Sequence, residues 1–100
     1  MKKYILDLTV AEKLVPHVNY VLLKLTSSSP LPEMVPGQFA EIRVDKSPTT
    51  FLRRPISINY VDREHNQVWF LIQLVGDGTK CLGTAEIGDI INVVLPLGNG

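Results

Sequence analysis

Between Lys3 and Val15 apolar and polar positions alternate around Tyr4, Leu6, Leu8 and Val10. That is the period-2 pattern of a strand with one solvated face. Residues 17–27, HVNYVLLKLTS, repeat the alternation and place Val18, Tyr20, Leu22 and Lys24 on one face. The next stretch, SSSPLPEMVPG, holds three serines, three prolines and a closing Pro-Gly, and predicts a loop. QFAEIRV reads as a third strand, DKSPTT as a polar turn and RPISINYV as a fourth strand. DREHN then turns the chain back into a fifth strand, QVWFLIQLV, so the last two form a β-hairpin. GDGTKCLGTAEIGD is too rich in glycine for a long helix, but a short one fits over residues 78–85. IINVVLP is the sixth strand, and LGNG ends the chain on turn residues.

Six short antiparallel strands with turns about every ten residues predict an all-β domain, either a closed barrel or a sandwich. There is no internal repeat, linker or low-complexity tract. One hundred residues make a single domain, long enough to bury roughly two thirds of the surface its unfolded chain exposes.

Charge narrows the partners. Ten basic residues balance ten acidic ones, so no global field attracts nucleic acid or an acidic membrane. An anion bound here must be met by local chemistry. No apolar run approaches the roughly 18 residues of a membrane span, and the apolar start of the chain is broken by Asp7 before it resembles a signal peptide. A single cysteine, Cys81, excludes an internal disulfide framework and a zinc or iron–sulfur site built by this chain alone. A reducing cytoplasm is the simple expectation.

Two stretches carry candidate chemistry. In FLRRPISINY, Arg53 and Arg54 precede a proline at the mouth of a strand. A guanidinium grips phosphate through two parallel charge-assisted hydrogen bonds. Pro55 fixes its own φ and holds Arg54 extended. The plain alternative is a solvated arginine pair at an edge strand. In GDGTKCL, two glycines uncover backbone amides, Thr79 adds a hydroxyl, and a helix starting there points free N–H groups outward. The spacing is neither that of a Walker loop nor G-x-G-x-x-G, and the plain alternative is a glycine turn. Together the two stretches supply an aimed guanidinium and an amide-lined turn, the two kinds of donor a diphosphate needs.

LRRPISI, GDGT about twenty residues later, and a closing PLGNG resemble the flavin domain of the ferredoxin–NAD(P) reductase superfamily. Within it the chain is similar to the electron-transfer subunit of NAD-dependent dihydroorotate dehydrogenase. The resemblance implies a six-stranded antiparallel Greek-key barrel with one short helix, binding FAD on its outside. It matches Arg54, Pro55, Ile56 and Ser57 to the R-P-x-S flavin motif, with Arg54 on the pyrophosphate and Ser57 near the reactive ring. Leu71, Ile72 and Gln73 match the strand along the flavin and ribityl chain, and Gly78 and Thr79 match the pair that donates to the pyrophosphate. Two departures stand out. Many relatives carry an aromatic residue where this chain has Ile56, and close relatives often carry arginine where it has Gln73. Period 2 also puts Arg54 and Ile56 on one face and Ser57 on the other.

The same resemblance implies that the chain is a piece of a longer protein. A nicotinamide-nucleotide domain that takes NADH and a cysteine cluster holding [2Fe–2S] are expected after PLGNG, outside this chain. The implied partner is a catalytic FMN-containing dihydroorotate dehydrogenase subunit, and the implied role is electron transfer with no catalytic side chain here. The rival is a flavin-free β-barrel interaction module. His17 and His65 read as surface residues, Cys81 as a small packed one and Asp77 as pointing to solvent. Trp69 and Phe70 are sent to opposite faces of a strand.

Overall fold

Residues 2–45 and 53–99 are described by a computed structural model. Strand β1 (Tyr4–His17) turns at Val18–Asn19 into β2 (Tyr20–Thr26), and the two pair antiparallel. After the proline-rich loop come β3 (Phe39–Ile42), β4 (Arg54–Ser57), β5 (Tyr60–Asp62) and β6 (Gln67–Gln73). A short helix, α1 (Asp77–Leu82), precedes β7 (Ile90–Leu97). The strand order is β4-β3-β7-β1-β2-β6-β5, every pairing antiparallel. DKSPTT, the expected polar turn at 45–50, falls outside the described residues except for Asp45.

Seven strands replace the six expected, because the fourth divides. Its first half, β4, pairs with β3, and its second half, β5, pairs with β6. The division falls at Ile58–Asn59. The Ile58 N–H donates to the Gln38 carbonyl at 2.7 Å, and the Asn59 N–H donates to the Trp69 carbonyl at 2.9 Å. One extended stretch of chain thus occupies both ends of the strand order and closes the curled sheet into a barrel. The expected hairpin is β5–β6, with Tyr60 opposite Trp69.

The inward side chains meet across this closure. Leu23 on β2 faces Phe70 on β6, and Val21 faces Ile72; all four are buried. Leu8 and Val10 of β1 and Val93 and Leu95 of β7 complete the core with Ala40 and Ile42. Tyr20, Leu22 and Lys24 share the outer face, while Val18 lies in the turn and is exposed. The outer face mixes Tyr20 and Leu22 with Lys24 and Thr26, while the inner face is the all-apolar Val21, Leu23 and Leu25, in register with Phe70 and Ile72.

Phe70 and Trp69 do take opposite faces. Phe70 is fully buried, whereas Trp69 stacks on Tyr60 outside, with ring centroids 4.7 Å apart. Lys24 Nζ sits 4.0 Å from the Trp69 ring and pairs with Glu12 at 2.8 Å. At the hairpin turn Asn66 adopts φ 54°. Its side chain donates to the Ser27 and Ser29 carbonyls and accepts from the Leu31 N–H, which ties the proline-rich loop to the barrel. Among the described residues no helix is long and apolar enough to cross a membrane.

Candidate functional site

Arg54 opens β4 opposite Ile42, and Ile56 sits opposite Ala40. Ile42 and Ala40 are buried, so Arg54 and Ile56 take the core side of the strand while Pro55 and Ser57 take the outer side. Ile56 is half-buried and packs against the core. Arg54 lies at the strand's end, where its side chain leaves the barrel and remains exposed. The proline is tolerated because β4 is hydrogen-bonded to a neighbouring strand on one side only, that of β3.

The stem of Arg54 runs over the start of α1. A Cβ built on Gly78 would lie 3.0 Å from Arg54 Cδ and 3.1 Å from its Cγ, closer than such carbons normally approach. Glycine at 78 therefore permits the crossing that brings the two sequence motifs together. Arg54, Val75, Gly76, Asp77, Gly78 and Thr79 line one groove of about 270 Å³. Pockets that enclose a small-molecule ligand run to roughly 300–1,000 Å³, so the groove suits one polar end of a dinucleotide and not the whole of it.

Thr79 does something different from the expectation that its hydroxyl adds a donor to the site. It is buried, and its Oγ1 accepts from the Val75 and Gly76 N–H groups at 3.0 Å each while donating to the Gly76 carbonyl at 3.1 Å. The hydroxyl is consumed in capping its own helix, the return half of a capping box. What the turn presents is backbone: the N–H groups of Gly78 and Thr79 belong to the first helical turn, which has no preceding carbonyl to bond. The helix ends at Leu82, short of the expected 85, with Gly83 as its C-cap, and Leu74 packs so close to Gly83 that its Cδ2 would stand 2.7 Å from a Cβ there. Asp77 is exposed and lines the same groove as Arg54.

The β6 residues separate by face. Leu71 and Gln73 are exposed on the outside of the barrel, and Ile72 is fully buried in its core. Leu71 and Gln73 thus offer side chains to a ligand on the barrel surface, and Ile72 only backbone. β4 and β6 come into contact with no ladder between them, and Ser57 is exposed on the outer side of β4.

Arg53 does not join the groove. Its Nη1 donates to the Glu41 carbonyl at 3.2 Å and the Asn92 carbonyl at 3.3 Å, and its Nη2 donates to Asn92 Oδ1. Asn92 in turn donates from Nδ2 to Asp7 Oδ1 at 2.8 Å. Nothing in the sequence marked Asn92, since it is one polar residue in an apolar strand. Val75 likewise carried no signal.

The remaining candidates are ordinary surface or packing residues. His17 Nδ1 accepts from the Asn19 N–H at 3.1 Å, and His65 Nδ1 pairs with Asp62 Oδ2 at 2.9 Å. That pair raises the His65 pKa and lowers that of Asp62, chiefly through their side-chain hydrogen bond. Cys81 is half-buried and packs against the core. A separate cavity of about 130 Å³, lined by Arg43, Cys81, Leu82 and Ile91 among others, shares no residue with the groove. Among the described residues no cluster of His, Cys, Asp and Glu could hold a metal ion.

No family model matches the chain. Over 68 residues, 68% of this chain, it is 43% identical to the dihydroorotate dehydrogenase B (NAD(+)) electron transfer subunit of Lysinibacillus sphaericus. The match spans 26% of that relative, so the chain accounts for about a quarter of its length. The fold aligns with the structure of an NADH-dependent reduced ferredoxin-NADP oxidoreductase, determined for insight into flavin-based electron bifurcation. There the TM-score is 0.79 and the identity 28%, over 92% of this chain and 33% of that one. It also aligns with phthalate dioxygenase reductase, a modular structure for electron transfer from pyridine nucleotides to [2Fe–2S]. The TM-score is 0.78 and the identity 21%, over 95% of this chain and 30% of that one, a likeness of fold alone.

Proposed function

We propose that this chain, which belongs by sequence with the electron transfer subunits of dihydroorotate dehydrogenase B, is the part of such a protein that holds FAD. The observation that carries this reading is the crossing of Arg54 over Gly78. It joins a guanidinium to an amide-lined turn in one groove, and those are the donors a diphosphate takes.

The residues present fit the cofactor. Arg54 grips the diphosphate, and the Gly78 and Thr79 N–H groups donate to it from the other side. Thr79's hydroxyl keeps the turn in shape. Pro55 keeps Arg54 extended. Ser57, Leu71 and Gln73, exposed on the outside of the barrel, would hold the flavin and ribityl part, with Ile72 lending backbone. Ile56, where many relatives carry an aromatic residue, packs against the core from the inner side of β4. When bound, FAD supplies the change from two-electron to one-electron transfer. The chain itself binds, orients and shields. It contributes no general acid or base.

In the whole protein, this site would hold the flavin between a [2Fe–2S] centre and the nicotinamide nucleotide, both held by segments outside these residues, and the two electrons that dihydroorotate oxidation releases would end on NAD+. A catalytic FMN-containing subunit is the partner, in dihydroorotate oxidation for pyrimidine biosynthesis. The test is a titration of the purified chain with FAD, followed by flavin absorbance and fluorescence. Saturable binding that competes with ADP supports the reading; no binding favours a flavin-free interaction barrel.

A further inference from the structure

We propose that Arg53 is a positioning residue for the diphosphate site, acting through Asn92 and Asp7 to aim Arg54 at Gly78. This rests on the FAD reading above and adds a division of labour between two adjacent arginines.

The geometry assigns the roles. Arg53 spends its guanidinium on three protein acceptors, the carbonyls of Glu41 and Asn92 and the Asn92 side-chain oxygen. Asn92 is 8% exposed, and its two ends allow only one amide orientation. The oxygen must face the guanidinium, which only donates, and the nitrogen must face the Asp7 carboxylate, which only accepts. The Asn92 carbonyl also accepts the Arg43 N–H at 3.0 Å. One buried asparagine thus links Arg53 to β1, β3 and β7.

The consequence falls on the next residue. Successive residues in extended chain point to opposite faces, so pinning Arg53 on the β3–β7 side directs Arg54 towards α1. Pro55 restricts Arg54 from the other flank. Arg54 therefore leaves the barrel from a backbone held on both sides, and its long side chain needs fewer conformations frozen when it meets an anion. A lysine at 53 keeps the charge but lacks the planar fork that reaches all three acceptors.

The experiment measures FAD and riboflavin affinity for the parent chain, Arg53→Ala, Arg54→Ala, the double variant and Asn92→Ala. Arg53→Lys covers the case in which Arg53→Ala does not fold. Expected is a roughly three- to tenfold rise in the FAD Kd for Arg53→Ala and Asn92→Ala, with riboflavin affinity unchanged because it has no diphosphate. The double variant binds FAD no more weakly than Arg54→Ala alone, since Arg53 acts only through Arg54. Additive losses mean that Arg53 touches the ligand itself, and the proposal is overturned. A large effect of Arg54→Ala with none from Arg53 or Asn92 also overturns it, while leaving the diphosphate site standing. No effect from Arg54→Ala removes that site and the positioning role with it.

Discussion

Arg54 lies across Gly78 so closely that a Cβ on the glycine would stand 3.0 Å from the arginine Cδ. The two residues come from opposite sides of the β5–β6 hairpin. Their contact joins a strand entrance and a helix start in one groove, and most of what can be tested about the chain follows from it.

Removing the guanidinium tests the groove directly. A hydrogen bond to a charged group contributes about 1.5–3 kcal/mol. Arg54→Ala is therefore expected to weaken FAD roughly ten- to a hundredfold in a fluorescence titration. Because Arg54 is exposed, the melting temperature should change little. An unaltered Kd would take the diphosphate away from this residue.

Gly78→Val tests the close crossing. The atom in the way belongs to a flexible side chain, so the barrel should fold while Arg54 is pushed off the turn. FAD affinity is expected to fall by about the same factor as in Arg54→Ala, since the same charged bonds are lost. Gly78→Ala should have a smaller effect. A well-folded valine variant that binds FAD like the parent would reduce the glycine to a turn residue.

Thr79→Val separates structure from ligand contact. The hydroxyl serves the Val75 and Gly76 N–H groups from a buried position. Val75 and Gly76 are exposed, and the Val75 N–H also reaches the Gln73 carbonyl at 3.1 Å, so losing the hydroxyl removes ordinary capping hydrogen bonds, at a cost of about 0.5–1.5 kcal/mol. For a domain of this size each kcal/mol lowers Tm by roughly 4–8 °C. Thr79→Ser, which keeps the oxygen, should restore most of the loss. Thermal melts followed by circular dichroism provide the check, and an unchanged Tm would remove the capping role.

The His65–Asp62 pair predicts a pH window. His65 titrates above its ordinary 6.5, so its contribution is present below that value and fades as pH rises through the elevated pKa. Asp62 titrates below its ordinary 3.8, so its contribution is present above that value and fades as pH falls through the depressed pKa. The pair is complete between the two. In an NMR titration, Asp62→Asn should move the His65 pKa down towards 6.5. His65 is exposed and Asp62 half-buried, and a pair open to solvent on one side contributes little to stability.

Chemistry with NADH should be absent from these residues alone. The chain accounts for about a quarter of the relative's length, and its groove suits a single polar end of a dinucleotide. Stopped-flow mixing of the FAD-loaded chain with NADH is expected to reduce flavin no faster than free FAD does. Rapid, saturable reduction would put a nicotinamide site within residues 1–100.

Local pattern was enough for much of the architecture. The period-2 runs marked the strands, the polar DREHN marked the hairpin turn, and the paired glycines marked the start of α1, because each of these is decided by neighbours in sequence. The Arg-Pro pair was also legible as an aimed guanidinium, since proline constrains its own neighbour whatever the fold. Other features depended on residues far apart in the chain. That β2 turns Leu23 inward and Leu22 outward is fixed by its register with Phe70 and Ile72 of β6. The fourth strand split at Ile58–Asn59 because its halves bond to different partners across a closing barrel. Thr79 went to its own helix cap, Arg53 to Asn92 and Arg54 to Gly78. Arginines that read alike in sequence acquire different tasks once packing decides which acceptors each can reach.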